Sequence, residues 1–221
     1  MGERSPDTLV VAEANRDAAQ LLTDWRAWPG GALALIGPPG SGKTHLALAW
    51  ALESGAREVS VAETPEAAAE RFGEAGGRLL IDDADQNAIE ATLWRILDLA
   101  RTRGGAVLLT GKKAPASWPA ADPPLRTRLS ALPVARLGEP DLAFMDVILR
   151  RLCREQFIQL SEDAAKYLVV RLPRTFAAAR AAAAALDQIV VRGARPVSVA
   201  VAKRALDHMK EAWGPWETDG T

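Results

Sequence analysis

The chain has 221 residues, 48% of them hydrophobic and 25% charged, enough to bury one sizeable core and a smaller one. Its 27 Lys and Arg against 28 Asp and Glu leave a formal net charge of -1, which argues against strong direct DNA binding, a task that calls for a basic excess. The lone cysteine excludes an internal disulfide, no apolar run is long enough to span a membrane, and residues 1–6 lack the apolar core of a signal peptide. A reducing cytoplasm is therefore the expected location, with no membrane partner.

Taken in order, Leu9-Val10-Val11 is short and β-prone. Residues 15–28 form a predicted helix with Ala18, Leu21, Leu22 and Trp25 on one face, stopped at Pro29-Gly30-Gly31. A short apolar strand then runs into Gly37-Pro38-Pro39-Gly40-Ser41-Gly42-Lys43-Thr44, which satisfies the phosphate-loop pattern G-x-x-x-x-G-K-S/T. Glycines let successive backbone N–H groups converge on one anion. Lys43 is placed for the β- and γ-phosphates and the Thr44 hydroxyl for Mg²⁺. Residues 45–52 are helix formers, so the phosphates also meet the positive end of a helix. Strand, glycine loop and helix are the context the motif requires, and the expected ligand is a nucleoside di- or triphosphate.

A second strand is predicted over residues 58–62 and a short helix over 66–72, with Thr64 as cap and Pro65 in its first turn. Residues 78–83 read as a buried strand that finishes in Asp82 and Asp83. A helix follows over 87–103, then a strand over 106–110. Residues 115–124 read as a proline-rich loop with Trp118 docked on the body, and 132–135 as a fifth, weaker strand. Strands alternating with helices imply a parallel sheet covered on both faces. From residue 138 the pattern turns all-helical, with helices expected over 139–155, 161–170, 174–188 and 198–209. The fold class is thus α/β: a five-stranded parallel αβα sandwich over residues 1–137, followed by a small helical lid over 138–221. Cys153 sits at helical spacing as a small buried hydrophobe. His45 and His208 have no metal-ligand spacing around them. Trp213 and Trp216 in the tail are read as capping the lid or meeting a partner.

The chemistry concentrates at two carboxylates and three arginines. In a sheet of this kind the strand ending in Asp82 and Asp83 lies beside the phosphate loop. The first carboxylate orders Mg²⁺ through its water shell and the second orients an attacking water. Arg126 and Arg128 lie just before the fifth strand and continue no amphipathic pattern. One of them is a candidate for a phosphate bound by a neighbouring subunit. Arg174 opens the third lid helix.

The order of these features resembles a known family. Gly42-Lys43-Thr44-His45, the run into Asp82-Asp83, Thr110 after the next helix, Leu125-Arg126-Thr127-Arg128, Glu139-Pro140-Asp141-Leu142 and Pro173-Arg174 are similar to the AAA+ module of the bacterial replication initiator DnaA. They are most similar to its small Hda-type relatives, especially the alphaproteobacterial forms, over residues 9–209. The resemblance implies an adenine-nucleotide site for ADP or ATP with Mg²⁺. Val10, Val11 and Asn15 would lie along the adenine, and Pro39, Gly40, Ser41, Gly42, Lys43, Thr44 and His45 would form Walker A. Asp82 and Asp83 would be Walker B, with Thr44 and Asp82 toward the metal. Arg128 falls on the arginine finger acting in trans, and Arg174 on the sensor 2 arginine.

The initiator's DNA-reading helix-turn-helix and its helical insertion before Walker B have no counterpart in the sequence, so a regulator is implied rather than an initiator. Such regulators, in their ADP form and with the DNA-loaded sliding clamp, dock on ATP-bound DnaA and promote its hydrolysis. Two departures stand out. Residues 1–8 hold no Gln-led clamp peptide, and Gln20-Leu21-Leu22 lies in a predicted helix; the position after Thr110 reads Gly111-Lys112-Lys113 rather than an acid or amide. Two other readings stay open, as does a homo-oligomer. One is a self-sufficient ATPase of the helicase-loader kind; the other is a nucleotide-gated adaptor that binds DnaA without hydrolysis.

Overall fold

The computed structural model describes residues 16–60, 62–86, 89–190 and 196–213, with side chains as far as residue 211. Val10, Val11, Asn15 and Trp216, and the side chain of Trp213, lie outside the described residues. The chain divides into two compact units, Met1–Gly138 and Glu139–Thr221.

The first unit is built on a parallel sheet of β1 (Ala32–Ile36), β2 (Arg57–Glu58), β3 (Arg78–Ile81), β4 (Ala106–Gly111) and β5 (Val134–Arg136), in the order β2-β3-β4-β1-β5. β1 and β4 are continuous apolar runs because both faces of the sheet are covered, and every residue of each is buried. Alternation along the strands divides the core. Leu79, Ile81, Val107 and Leu109 join Phe72, Leu93, Ile96, Leu125 and Leu129 on one face. That face is covered by α3 (Pro65–Glu74), α4 (Glu90–Arg103) and α5 (Pro123–Ser130). Leu33, Leu35, Leu80 and Leu108 join Leu22, Trp28, Leu46 and Trp50 on the other, beneath α1 (Arg16–Thr23) and α2 (Lys43–Ser54). Trp28 and Trp50 stack there at 5.3 Å.

The second unit comprises α6 (Leu142–Glu155), α7 (Glu162–Val169), α8 (Phe176–Ile189) and α9 (Val199–Trp213). Asp141, Ser161 and Thr175 each accept a backbone N–H from the first turn of α6, α7 and α8 in that order. In α8, Ala178, Ala179, Ala182 and Ala183 are fully buried, and their small side chains let α6 and α9 approach closely. Cys153 is enclosed within α6, and burial pushes its thiol up from an ordinary value near 9 to about 12, against the opposing charge of Arg150.

Several sequence expectations need correction. The 115–124 loop is not a loop throughout: α5 begins at Pro123, with Asp122 capping the Leu125 N–H at 3.1 Å. The two prolines fill the first helical positions, where no intrahelical N–H is needed. Arg126 and Arg128 therefore stand on a helix. β2 stops after two residues because side chains take over the backbone. Glu63 accepts the Ser60 N–H and the Ser60 hydroxyl accepts that of Ala62. The first helix is shorter than expected, with a 3₁₀ turn over Trp25–Ala27 after it. Arg174 does not begin α8; the cap is Thr175, so the arginine lies just before it.

Candidate functional site

The site is assembled at the C-terminal edge of the sheet, where β1 runs into the glycine loop and α2. At Gly37 a side chain would collide with the Leu137 carbonyl, 2.6 Å from the position of a Cβ, and with the Ser41 hydroxyl at 2.8 Å. Gly42 caps α2 at φ 91, a left-handed conformation that admits glycine without strain. The twelve-residue α2 then directs its positive end into the loop. Ser41 is buried in this cradle and its hydroxyl has no partner among the described residues. An enclosed polar atom without a partner suits a loop made to close around an oxygen-rich ligand.

Lys43 donates from Nζ to the carbonyls of Gly37 at 2.9 Å and Pro38 at 3.0 Å, which places its ammonium inside the loop. Burial holds its pKa below the ordinary lysine value. The carboxylates of Asp83, Asp85 and Asp82 pull it back up, and the nearby charge of Lys112 adds to the lowering.

The two aspartates behave differently. The Thr44 hydroxyl donates to Asp82 Oδ2 at 3.0 Å, which joins the first turn of α2 to the acidic end of β3. The strand carrying Asp82 is not the neighbour of β1, however; β4 lies between them. Thr110 near the end of β4 bridges the gap. Its hydroxyl donates to Asp82 Oδ1 and accepts the backbone N–H of Asp83 at 2.8 Å, while its carbonyl accepts that of Ala84. Asp83 is held at φ 50, a left-handed conformation uncommon for a side-chain-bearing residue. Asp85 accepts the Lys112 N–H at 2.7 Å.

Sequence reasoning placed Lys43, Thr44, Asp82 and Asp83, and the structure brings them together. It used Thr110 only as a landmark of the resemblance and gave neither Thr110 nor Asp85 a role in the site. A threonine ending a buried strand two residues short of a lysine pair was the available signal for the first, and the Asp-x-Asp spacing after Asp83 for the second. Among the described residues no group of three or more His, Cys, Asp or Glu can hold a metal ion unaided. Thr44 and Asp82 fit a Mg²⁺ that takes its remaining ligands from phosphates and water.

Arg128 lies elsewhere. α5 delivers it toward the N-terminal end of β5, whereas the glycine loop sits past the C-terminal end of β1, so the arginine belongs to the α4–α5 flank. Its Nη1 donates to Asp98 Oδ1 at 3.2 Å and its guanidinium lies 5.3 Å from the centre of the Trp94 ring. The side chain keeps 24% of its surface exposed. Arg126 donates twice to the Ala120 carbonyl. Arg174 belongs to the second unit. Gln20-Leu21-Leu22 lies within α1 with Leu22 in the core, so it is not an extended peptide.

Comparison with solved structures follows from this geometry. Domain III of the Thermotoga maritima replication initiation protein DnaA superposes with a TM-score of 0.74 at 17% identity, covering 92% of this chain and 95% of that one. The chain has the AAA+ fold. A DnaA replication initiator bound to AMPPCP and single-stranded DNA gives a TM-score of 0.65 at 17% identity, over 94% of this chain and 68% of that one. The Thermotoga maritima RuvB Holliday junction branch migration motor gives 0.67 at 18%, over 90% and 67%. At these identities the likeness to DnaA and RuvB is one of fold. No family model and no curated protein sequence matches the chain. Among the described residues, no helix is long and apolar enough to cross a membrane.

Proposed function

We propose that this AAA+ chain is a cytoplasmic, adenine-nucleotide-binding regulator of the Hda type, which docks on ATP-bound DnaA and promotes hydrolysis of that ATP through Arg128. The observation that carries the reading is the separation of the two kinds of machinery. A phosphate-binding loop with its acidic pair occupies one edge of the sheet, and a partly exposed arginine is held instead by Asp98 and Trp94 on the α4–α5 flank. An arginine so placed serves a phosphate held by another polypeptide.

In this reading the loop N–H groups, Lys43 and the Ser41 hydroxyl hold the phosphates of ADP or ATP. Lys43 exchanges its two carbonyl partners for phosphate oxygens. Thr44 and Asp82 hold Mg²⁺, which neutralises charge between the phosphates. Asp83 orients water at the end of β3, held in place by Thr110. His45 stands in the first turn of α2, and Pro39, Gly40 and Gly42 shape the loop. The bound nucleotide sets the docking-competent form, and Arg128 then completes the site of DnaA. An arginine finger is worth about 10³–10⁵ in rate, on the order of 4–7 kcal/mol of barrier. Whether the sliding clamp takes part turns on a segment other than Gln20-Leu21-Leu22.

The test is hydrolysis by ATP-loaded DnaA with and without this protein in its ADP form, and with DNA-loaded clamp added. Stimulation that disappears in Arg128→Ala supports the reading; stimulation retained by Arg128→Ala overturns it. A second reading, an ATPase acting alone, draws on the complete Thr44–Asp82–Thr110 network. Turnover by the isolated chain that is lost in Asp83→Asn would select it.

A further inference from the structure

Nothing in the phosphate site explains why a tryptophan and an aspartate sit where they do on α4. Trp94 and Asp98 are four residues apart, hence on one face of the helix, and α5 packs across that face. Trp94 is half-buried and rests against the core cluster that contains Leu125 and Leu129 of α5. The Arg128 side chain lies over this pair. Trp94 forms a wall 5.3 Å from its carbon centre, and Asp98 takes one N–H at 3.2 Å. Asp98 also meets Arg101 at 3.4 Å through the same oxygen, so one carboxylate serves two cations and the cluster keeps a net positive charge.

A guanidinium carries five N–H donors in a rigid plane. With one of them on Asp98 and its carbon centre 5.3 Å from an indole ring, the guanidinium is restricted in its swing, and its other donors have no partner among the described residues. The side chain is 24% exposed, which matches a group anchored on one edge and open on the other. Neither residue touches the phosphate loop of this chain. What the two share is Arg128.

We propose that Asp98 and Trp94 are positioning residues for Arg128, holding its guanidinium edge-outward on the α4–α5 flank so that it meets a polyphosphate bound by another polypeptide in one orientation. The inference rests on the trans role proposed above and adds the residues that determine how well Arg128 performs it. Placing a catalytic cation to within an ångström is worth up to about a hundredfold in rate. Loss of one of two supports gives a smaller effect.

The test measures ATP hydrolysis by ATP-loaded DnaA at increasing concentrations of this protein, with Asp98→Asn, Trp94→Leu, Trp94→Phe and Arg128→Ala. Asp98→Asn keeps the shape and removes the charge; Trp94→Phe keeps a ring face. Asp98→Asn and Trp94→Leu are each expected to lower the maximal rate about threefold to fivefold with the half-saturating concentration nearly unchanged, and Trp94→Phe to recover most of it. A merely structural role would instead shift the melting temperature and the half-saturating concentration. The proposal is overturned if Asp98→Asn and Trp94→Leu both reach the wild-type maximal rate while Arg128→Ala does not. If Arg128→Ala itself stimulates fully, the trans role fails first and takes this inference with it, so the two failures are told apart. A readout without DnaA is the NMR signal of the Arg128 Nε–H, expected to lose its ring-current shift in Trp94→Leu. An unchanged signal also counts against the proposal.

Discussion

Replacing Thr110 with valine removes one hydroxyl from the centre of the acidic network and leaves the shape of β4 intact. Thr110 is fully buried, so no cavity opens and the cost is confined to hydrogen bonding. The Asp83 N–H loses its acceptor, and Asp82 keeps only the Thr44 hydroxyl. A buried polar group left unpaired costs about 1–3 kcal/mol, and a hydrogen bond to a charged group contributes about 1.5–3 kcal/mol. Asp82 is half-exposed and Asp83 exposed, so water replaces part of what is lost. A net destabilisation of about 2 kcal/mol is the consistent figure, or roughly 4–8 °C in melting temperature for a chain of this size. The same substitution frees Asp83 from its left-handed conformation, so nucleotide affinity in Mg²⁺ should fall as well, by about tenfold. Thermal melts and nucleotide titration of Thr110→Val against Thr110→Ser measure both, and serine should restore both. A valine variant that melts and binds nucleotide like the wild type would show that the hydroxyl organises nothing.

Two further outcomes follow from individual residues. Lys43→Ala should abolish the nucleotide-dependent rise in melting temperature, which for the wild type amounts to about 2.7 kcal/mol, or roughly 5–10 °C, at a hundredfold excess over the dissociation constant. For Cys153 the folded thiol titrates at about 12 against near 9 when unfolded, so the folded chain keeps its proton longer. The resulting stability is complete below pH 9 and is lost between pH 9 and 12, at a slope of up to about 1.4 kcal/mol per pH unit. Urea midpoints taken from pH 8 to 10.5 should therefore fall more steeply for the wild type than for Cys153→Ala.

The phosphate loop was legible in the sequence because its chemistry requires contiguous residues: Gly37, Gly42, Lys43 and Thr44 act through one loop and one helix end. The buried strands were legible for a related reason, since sheets covered on both faces leave unbroken apolar runs such as residues 106–109. Strand order was not, because no local pattern records that β4 lies between β1 and β3. That hidden order is what makes Thr110 important; as an isolated letter it reads as an ordinary strand threonine. α5 was missed because Pro123-Pro124 suggests a break, yet after a capping aspartate it starts a helix. The partners of Arg128 could not be read at all. Asp98 and Trp94 lie about thirty residues upstream and meet the arginine only through the packing of two helices.

Magnitudes also decide what Asp98 can and cannot do to that arginine. The two side chains keep only 24% and 21% of their surface exposed, yet the pair stands at the rim of the fold where water still screens it. It contributes about 1 kcal/mol, a shift of roughly fivefold in a conformational equilibrium. Such a pair is too weak to lock Arg128 away from a phosphate site whose completion is worth about 4–7 kcal/mol of barrier. It is of the same order, however, as the roughly 2 kcal/mol of rotamer entropy a free arginine side chain carries. An interaction of this size can choose among rotamers in the free protein and still yield when a phosphate arrives. Removing the Asp98 charge should therefore slow the chemistry that Arg128 assists. Faster hydrolysis in Asp98→Asn would mean that the pair restrains the arginine and that the energies assigned to it are wrong.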